Sequence, residues 1–322
     1  MRCLITGGAG FIGTNLIKKL LEKDYDVDSF DNYSTGYKEN EQDGCNYLDI
    51  DIAQCDVGGS NVFYKKSGGW ESIEKPDVIF HLAALARIQP SIKNPKPAID
   101  TNFNGTLNIL EYARENNIQV IYAGSSTKHH GVFNSPYAWS KFGGEELCRL
   151  YSKIYDLNTS ICRFYNVYGP HHIRTGSYAT VLGIFEHQFL NNTPITVTAD
   201  GEQRRDFTHI DDIVDGLIKV FRGMHGEIDM RFSAPIFELG RGENHSINEI
   251  ADMFGGEKIY IGQRSGEYPQ TLCDDKDLCQ TYQSTVLPKF FIITHSGTAP
   301  RLCGICASAA VPVYFVILKP TF

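Results

Sequence analysis

Tyr137 and Lys141 stand four residues apart in the run PYAWSK, so a helix there turns both toward one face. A free tyrosine keeps its proton up to about pH 10 and is a poor base at neutral pH. A close ammonium favours the phenolate and brings that value down, which is the tuning a general acid–base needs. Ser126 lies at the end of an apolar run upstream of the tyrosine, where its hydroxyl can bond the substrate hydroxyl that Tyr137 deprotonates. Together the three offer proton transfer at a hydroxyl.

A second cluster sits at the N-terminus. Gly7, Gly10 and Gly13 in GGAGFIG follow a short apolar run, and Phe11 and Ile12 open a helical pattern behind them. Glycines at this spacing allow a tight strand–helix turn whose backbone N–H groups, aided by the helix dipole, face a dinucleotide pyrophosphate. Asp31 ends the next strand, followed by Asn32. An acid there accepts hydrogen bonds from the adenosine ribose and repels a 2′-phosphate, favouring NAD over NADP.

These residues need a frame. Residues 2–6, 26–30, 77–83, 118–123 and 160–164 read as strands, and 11–23, 102–116 and 137–155 as helices. The alternation predicts an α/β fold with a doubly wound parallel sheet covered on both faces, and DVIFHLA at 77–83 suits a strand buried on both sides. Beyond residue 169 the elements shorten: helices over 179–190 and 211–222, strands at 195–198, 237–239 and 258–261, and a capping box Ser246-Ile-Asn-Glu249 opening another helix. The expected division is therefore 1–168, a dinucleotide-binding domain that also carries the Ser/Tyr/Lys set, and 169–276, a smaller α/β substrate lobe. Residues 58–69 read as a Gly/Ser-rich surface loop.

Bulk properties narrow the classes. The 322 residues carry a net charge of −8 with no basic stripe, which argues against nucleic acid. No apolar run reaches membrane-spanning length, and MRCLITGGAG runs into a strand rather than a signal peptide. Cys3, Cys148 and Cys162 fall inside apolar patterns as small core residues, consistent with a reducing cytoplasm. No metal site is expected: nothing in the sequence suggests ligation by His171-His172, which follow a turn, and Cys303 and Cys306 form a CxxC with no second pair.

The motifs TGGAGFIG (6–13), DN (31–32), HLAA (81–84), NFNGT around Asn102, YAGSS (122–126), PYAWSK (136–141), RFYNVYGP (163–170) and EQRRDFTHIDD (202–212) come in the order of one family. Over residues 1–276 the chain resembles the NAD-dependent epimerase/dehydratase family, extended short-chain dehydrogenases/reductases of the UDP-glucose 4-epimerase type. The resemblance implies a Rossmann-type fold with NAD held by the glycine turn, Asp31, Asn32, Asp51, Ile52, Leu82, Ala83, Ala84, Asn102, Tyr137 and Lys141. It implies a nucleotide-diphosphate sugar, a UDP-sugar in this family, met by Ser126, by Asn166 and by Arg205 and Arg264 on the diphosphate; two guanidinium forks suit a doubly charged pyrophosphate. It also implies a homodimer formed through the helices at 102–116 and 137–155, and a cycle in which Tyr137 takes the sugar 4-OH proton while hydride passes to NAD and returns to the opposite face of a 4-keto sugar.

Within the family the reaction is read from the loop after strand five. Sugar 4,6-dehydratases carry an Asp–Glu pair directly after the strand-five Ser/Thr, and decarboxylating relatives a glutamate in the same loop; here Thr127 and Lys128 stand there. That favours 4-epimerisation. The alternatives are 5- or 3,5-epimerisation, ketoreduction, or a non-catalytic NAD-binding protein. In Lys128-His129-His130 the loop is polar, with His130 a candidate sugar contact. Residues 278–322 contain no Asp or Glu and hold Cys279, Cys303 and Cys306, a style unlike the rest, as a shifted frame or divergent end would give.

Overall fold

The structure is a computed structural model that describes residues 1–54, 73–223 and 234–273. The readings of 58–69 and 278–322 fall outside those residues. β1 (Arg2–Thr6), α1 (Phe11–Leu21), β2 (Asp26–Asp31) and β3 (Cys45–Asp49) open the chain. β4 (Val78–His81) leads to two short helices, α2 (Ile88–Lys93) and α3 (Pro95–Ile99), and then to α4 (Gly105–Asn116). β5 (Gln119–Ser125), α5 (Pro136–Tyr155) and β6 (Thr159–Phe164) follow, then β7 (Asn166–Tyr168), α6 (Val181–Leu190), β8 (Ile195–Thr198) and β9 (Arg204–His209). The described part closes with α7 (Ile210–Phe221), β10 (Ile236–Leu239), β11 (Asn244–Ser246), α8 (Ile247–Phe254) and β12 (Lys258–Ile261).

Seven strands form a parallel sheet in the order β10-β6-β5-β4-β1-β2-β3. Cys3, Ile5, Val78 and Phe80 face Leu16, Ile17 and Leu20 of α1 and Ile213 and Leu217 of α7. Leu4, Ile79 and Val120 face Ile109 and Leu110 of α4 and Cys148 and Tyr151 of α5. Successive residues of one strand thus enter opposite cores, which explains why these strands read as unbroken apolar runs. The order reverses beside β1, with β2 on one side and β4 on the other. Crevices at the carboxyl ends of strands form at such a switch point.

The smaller lobe has its own core, with Leu182 and Phe185 of α6, Ile195 and Val197 of β8, Phe207 of β9 and Ile247 and Ile250 of α8. The capping box at Ser246 and Glu249 is formed in both directions. The two lobes do not divide at residue 168: α7 packs on the larger sheet and β10 pairs with β6, Ile236 opposite Ile161. The chain therefore returns to the first lobe after β9.

Two local features set the site. Ser135 caps α5 by accepting the Ala138 N–H at 3.1 Å, and Pro136 occupies its first turn, so Tyr137 sits at the start of the helix. Ahead of α4, Asp100–Asn104 forms a π turn, so the helix expected from 102 is α-helical only from Gly105. Such turns shift side chains out of α-helical register. Here the shift buries Asn102, which accepts the Leu85 N–H at 2.8 Å and donates to the Leu85 carbonyl at 3.2 Å and to Ser140 Oγ at 3.1 Å.

Candidate active site

A cleft of about 860 Å³ runs from the glycine turn, along the carboxyl ends of the parallel strands, to the smaller lobe. Gly7 has φ +77°, and a Cβ there would come within 2.9 Å of the Ala83 backbone; a Cβ on Gly13 would meet the Gly7 carbonyl at 2.2 Å. Both positions require glycine for the turn and α1 to close together. Gly10, Phe11 and Ile12 line the same end of the cleft, with Asn32, Asp51, Ile52, Leu82, Ala83 and Ala84.

Asp31 has a second task that its spacing does not reveal. Oδ2 accepts the Ala9 N–H at 2.9 Å and Oδ1 the Tyr33 N–H at 2.8 Å, so the carboxylate pins the glycine turn to the end of β2. Burial raises its pKa above the usual carboxylate value, and the two backbone donors oppose that rise. Each carboxylate oxygen keeps a further lone pair for a ribose hydroxyl. The turn, its open side toward the cleft and this acid fit an NAD adenosine and pyrophosphate.

Further along the carboxyl ends of the strands Tyr137 lines the cleft, its hydroxyl 3.4 Å from Ser125 Oγ. The hydroxyl that meets the phenol is therefore that of Ser125, the last residue of β5, and not of Ser126. Ser126 opens a 3₁₀ turn and lines the cleft one position further on. Thr127 donates to Ser125 Oγ from both N (3.3 Å) and Oγ1 (3.0 Å) and also lines the cleft, whereas Lys128 Nζ lies 4.0 Å over the Phe142 ring. Of the two residues after Ser126, one presents a hydroxyl to the cleft and the other stacks on α5.

Lys141 and Asn102 do not line the cleft. Lys141 is buried with Nζ 4.2 Å from the centre of the Tyr122 ring, and burial draws its pKa down to about 8 against the pull of Glu145. The expected ammonium beside the phenol is thus displaced onto Tyr122 in this structure. Burial pushes the Tyr137 phenol above its usual value; the Ser125 hydrogen bond and the charge of Arg87 act in the opposite sense. Asn102 acts on the backbone instead, fixing Leu85 where the strand end turns into the cleft.

A buried charge network backs the site. Arg163 of β6 binds both oxygens of Glu145 on α5, through Nε at 3.1 Å and Nη2 at 2.7 Å, and donates from Nη1 to Glu238 on β10 at 2.8 Å. His129 Nε2 meets the same Glu238 oxygen at 2.8 Å, and the Ser125 N–H reaches Glu145 at 3.4 Å. Burial opposes the charge on Arg163, and its carboxylate partners raise its pKa regardless. The network fixes the loop carrying Ser125 and Ser126 to the helix carrying Tyr137. Its members are scattered through the sequence, so spacing could not have revealed it. His130 packs on Tyr268 with ring centres 4.9 Å apart.

On the smaller lobe, Arg205 and Arg264 line the cleft with Asn166. Arg205 Nη1 donates to the carbonyls of Arg204 and Tyr268 at 2.8 and 2.9 Å, Arg264 is exposed, and Asn166 Oδ1 accepts from Thr271 Oγ1 at 3.2 Å. Asp206 is structural: it accepts the backbone N–H groups of Arg241, Gly242 and Cys273.

The family model for the NAD dependent epimerase/dehydratase family matches residues 3–228. A putative UDP-glucose 4-epimerase from Methanocaldococcus jannaschii is 32% identical, covering 85% of this chain and 90% of its own. A UDP-N-acetyl-alpha-D-glucosaminuronate decarboxylase from Bacillus cytotoxicus is also 32% identical, over 78% of each chain. The structure of a UDP-glucose 4-epimerase from Thermus thermophilus in complex with NAD superposes with a TM-score of 0.74 at 25% identity, covering 89% of this chain and 94% of that one. With sequence and fold alike over most of its length, the chain belongs to the NAD-dependent epimerase/dehydratase family.

Proposed function

We propose that the protein is an NAD-dependent 4-epimerase of a nucleotide-diphosphate sugar, a UDP-sugar in the first instance. The observation that carries the reading is the Tyr137 hydroxyl 3.4 Å from Ser125 Oγ, in a cleft continuous from the glycine turn to Arg205 and Arg264. The glycine turn and Asp31 hold NAD, which when bound supplies a hydride acceptor and donor. Arg205 and Arg264 grip the diphosphate, leaving the sugar at Tyr137. Ser125 orients the phenol, Ser126 offers its hydroxyl to the sugar 4-OH, and Tyr137 accepts the 4-OH proton and later returns it. Thr127 in the cleft lacks the acid that expulsion of a hydroxyl needs, which supports epimerisation over dehydration.

The unpaired, buried Cys3, Cys148 and Cys162 support residence in a reducing compartment, the cytoplasm. The apolar outer face of α5 supports a homodimer. Purified protein incubated with UDP-galactose or UDP-N-acetylglucosamine should give the 4-epimer, read from the anomeric protons by NMR. Tyr137→Phe should lose at least about a hundredfold in rate while retaining NAD. Absence of any epimer, with or without added NAD, sinks the reading; turnover unchanged in Tyr137→Phe removes the tyrosine from it.

A further inference from the structure

The buried network behind the site holds two carboxylates, Glu145 and Glu238, against the single guanidinium of Arg163, and all three side chains are shielded from water. Arg163 commits Nε and Nη2 to Glu145 and only Nη1 to Glu238. Glu238 completes its set with the Tyr165 hydroxyl on Oε2 at 3.2 Å and His129 Nε2 on Oε1 at 2.8 Å. A carboxylate oxygen only accepts, so His129 Nε2 carries a proton there. The His129 side chain is 43% exposed, so it stands both in the cluster and at water. A surplus charge in a buried cluster is costly, and a second cation at hydrogen-bond distance offsets it. An imidazolium at His129 brings two acids and one arginine to zero.

We propose that His129 is a positioning residue: its imidazolium is the second cation of the Glu145–Arg163–Glu238 cluster and holds the Ser126–His130 turn against β10. From β10 the ring faces Glu238; beyond that carboxylate stand Arg163 of β6, Tyr165 after it and, across the guanidinium, Glu145 of α5. On its own turn Lys128 lies over the Phe142 ring, and the His130 ring is 6.4 Å away, centre to centre, and packs on Tyr268. Glu238 therefore takes no cation besides Arg163 and His129 among the described residues. The turn carries Ser126 and Thr127 into the cleft. Ser125, which meets the Tyr137 hydroxyl, gives its N–H to Glu145 at the far end of the same cluster. Charge balance at His129 thus reaches the hydroxyls around the phenol from two sides, along the turn and through Arg163 and Glu145. Its effect on turnover rests on the reading of Tyr137 as the acid–base; its effect on the turn does not.

The test is the ring titration of His129 by NMR in the NAD-loaded protein, its signals identified by their loss in His129→Gln or, should that variant not fold, in His129→Asn. The wild-type midpoint should lie at least about one pH unit above the ordinary histidine value near 6.5, and Glu238→Gln should return it there. His129→Gln keeps a donor for Glu238 but no charge. At about pH 6, amide hydrogen exchange at Ser125 and Thr127 should quicken roughly tenfold in that variant, since one pH unit of coupling is a factor of ten. Its kcat should fall by a similar factor with KM held. The double variant H129Q/E238Q restores a neutral cluster and should recover both, which loss of a merely space-filling ring would not. A wild-type midpoint at or below about 6.5 overturns the proposal. So does a midpoint that Glu238→Gln leaves in place, or a double variant no better than His129→Gln. Titration and exchange need no sugar, so their expected results without epimerisation count against the substrate reading alone.

Discussion

Asp31 shows how one side chain joins folding to cofactor choice. It closes the glycine turn through the Ala9 N–H and the bend after β2 through the Tyr33 N–H. A hydrogen bond to a charged acceptor contributes roughly 1.5–3 kcal/mol, and an unpaired buried donor costs a similar amount. Asp31→Ala removes the acceptor for two backbone donors and, on the proposed reading, the carboxylate that meets the ribose. NAD affinity, measured by calorimetry, should fall at least about tenfold, since 1.4 kcal/mol is a factor of ten. The preference over NADP should narrow as well, because the carboxylate that repels a 2′-phosphate is gone. An unchanged affinity and an unchanged preference would detach Asp31 from the cofactor.

Between elements, a line of hydrogen bonds passes through His81 at the end of β4. The Ala83 N–H donates to Thr6 Oγ1 at 3.1 Å and Thr6 Oγ1 meets His81 Nδ1 at 2.7 Å; on the other side His81 Nε2 meets Thr106 Oγ1 at 2.9 Å, and Thr106 donates to the Asn102 carbonyl at 2.7 Å. Since Thr106 spends its proton on the carbonyl, it must accept from His81, which leaves Nδ1 to accept from Thr6. The ring is therefore neutral and in one tautomer, joining β1, β4 and α4 beneath the cleft. Burial, helped by the charge of Lys141, lowers its pKa to about 3. The unfolded chain takes up this proton below about pH 6.5, while the folded state does not. Stability from this site is thus unaffected above that pH and is lost as pH falls from about 6.5 toward 3, by about 2 kcal/mol at pH 5. His81→Gln can accept and donate in the same places without titrating. Denaturant melts should show wild type losing about 2 kcal/mol more than the variant between pH 7 and pH 5; parallel losses refute the assignment. This scale also marks where sequence stops being legible. Glycines at 7 and 13 and the run 77–83 could be read because turn geometry and strand patterning are local, whereas the 137/141 spacing puts both residues on α5 but leaves the Lys141 ammonium over Tyr122. Ser125 was missed by one position, since which of two adjacent serines faces the phenol depends on where β5 ends. β9, with RRDFTH, carries no apolar alternation, and the Glu145–Arg163–Glu238 contacts join distant segments that only the sheet order brings together.

For the whole molecule, the outer face of α5 is the unfinished surface. Trp139, Leu150, Ile154 and Tyr155 are 37%, 49%, 58% and 51% exposed, large apolar groups that a monomer would leave in water. Positions 139, 143, 147, 150 and 154 fall at helical spacing, so Trp139, Gly143, Leu147, Leu150 and Ile154 form one stripe. Gly143 lets Phe103 close on α5, where Phe103 packs on Trp139 with ring centres 5.5 Å apart, extending the surface toward α4. A twofold axis beside α4 and α5 would set this stripe against its copy and bury it in a four-helix layer. Tyr137 begins the same helix but turns to the cleft, so association would steady α5 without closing the cleft. In such an interface each substitution acts twice. Burying a Leu or Ile side chain contributes roughly 1.5–3 kcal/mol, so Leu150→Glu with Ile154→Glu should raise the dimer dissociation constant at least about a thousandfold. Sedimentation velocity should find wild type dimeric and the double variant monomeric with its fold intact. Wild type monomeric at every concentration would leave the stripe to another occupant.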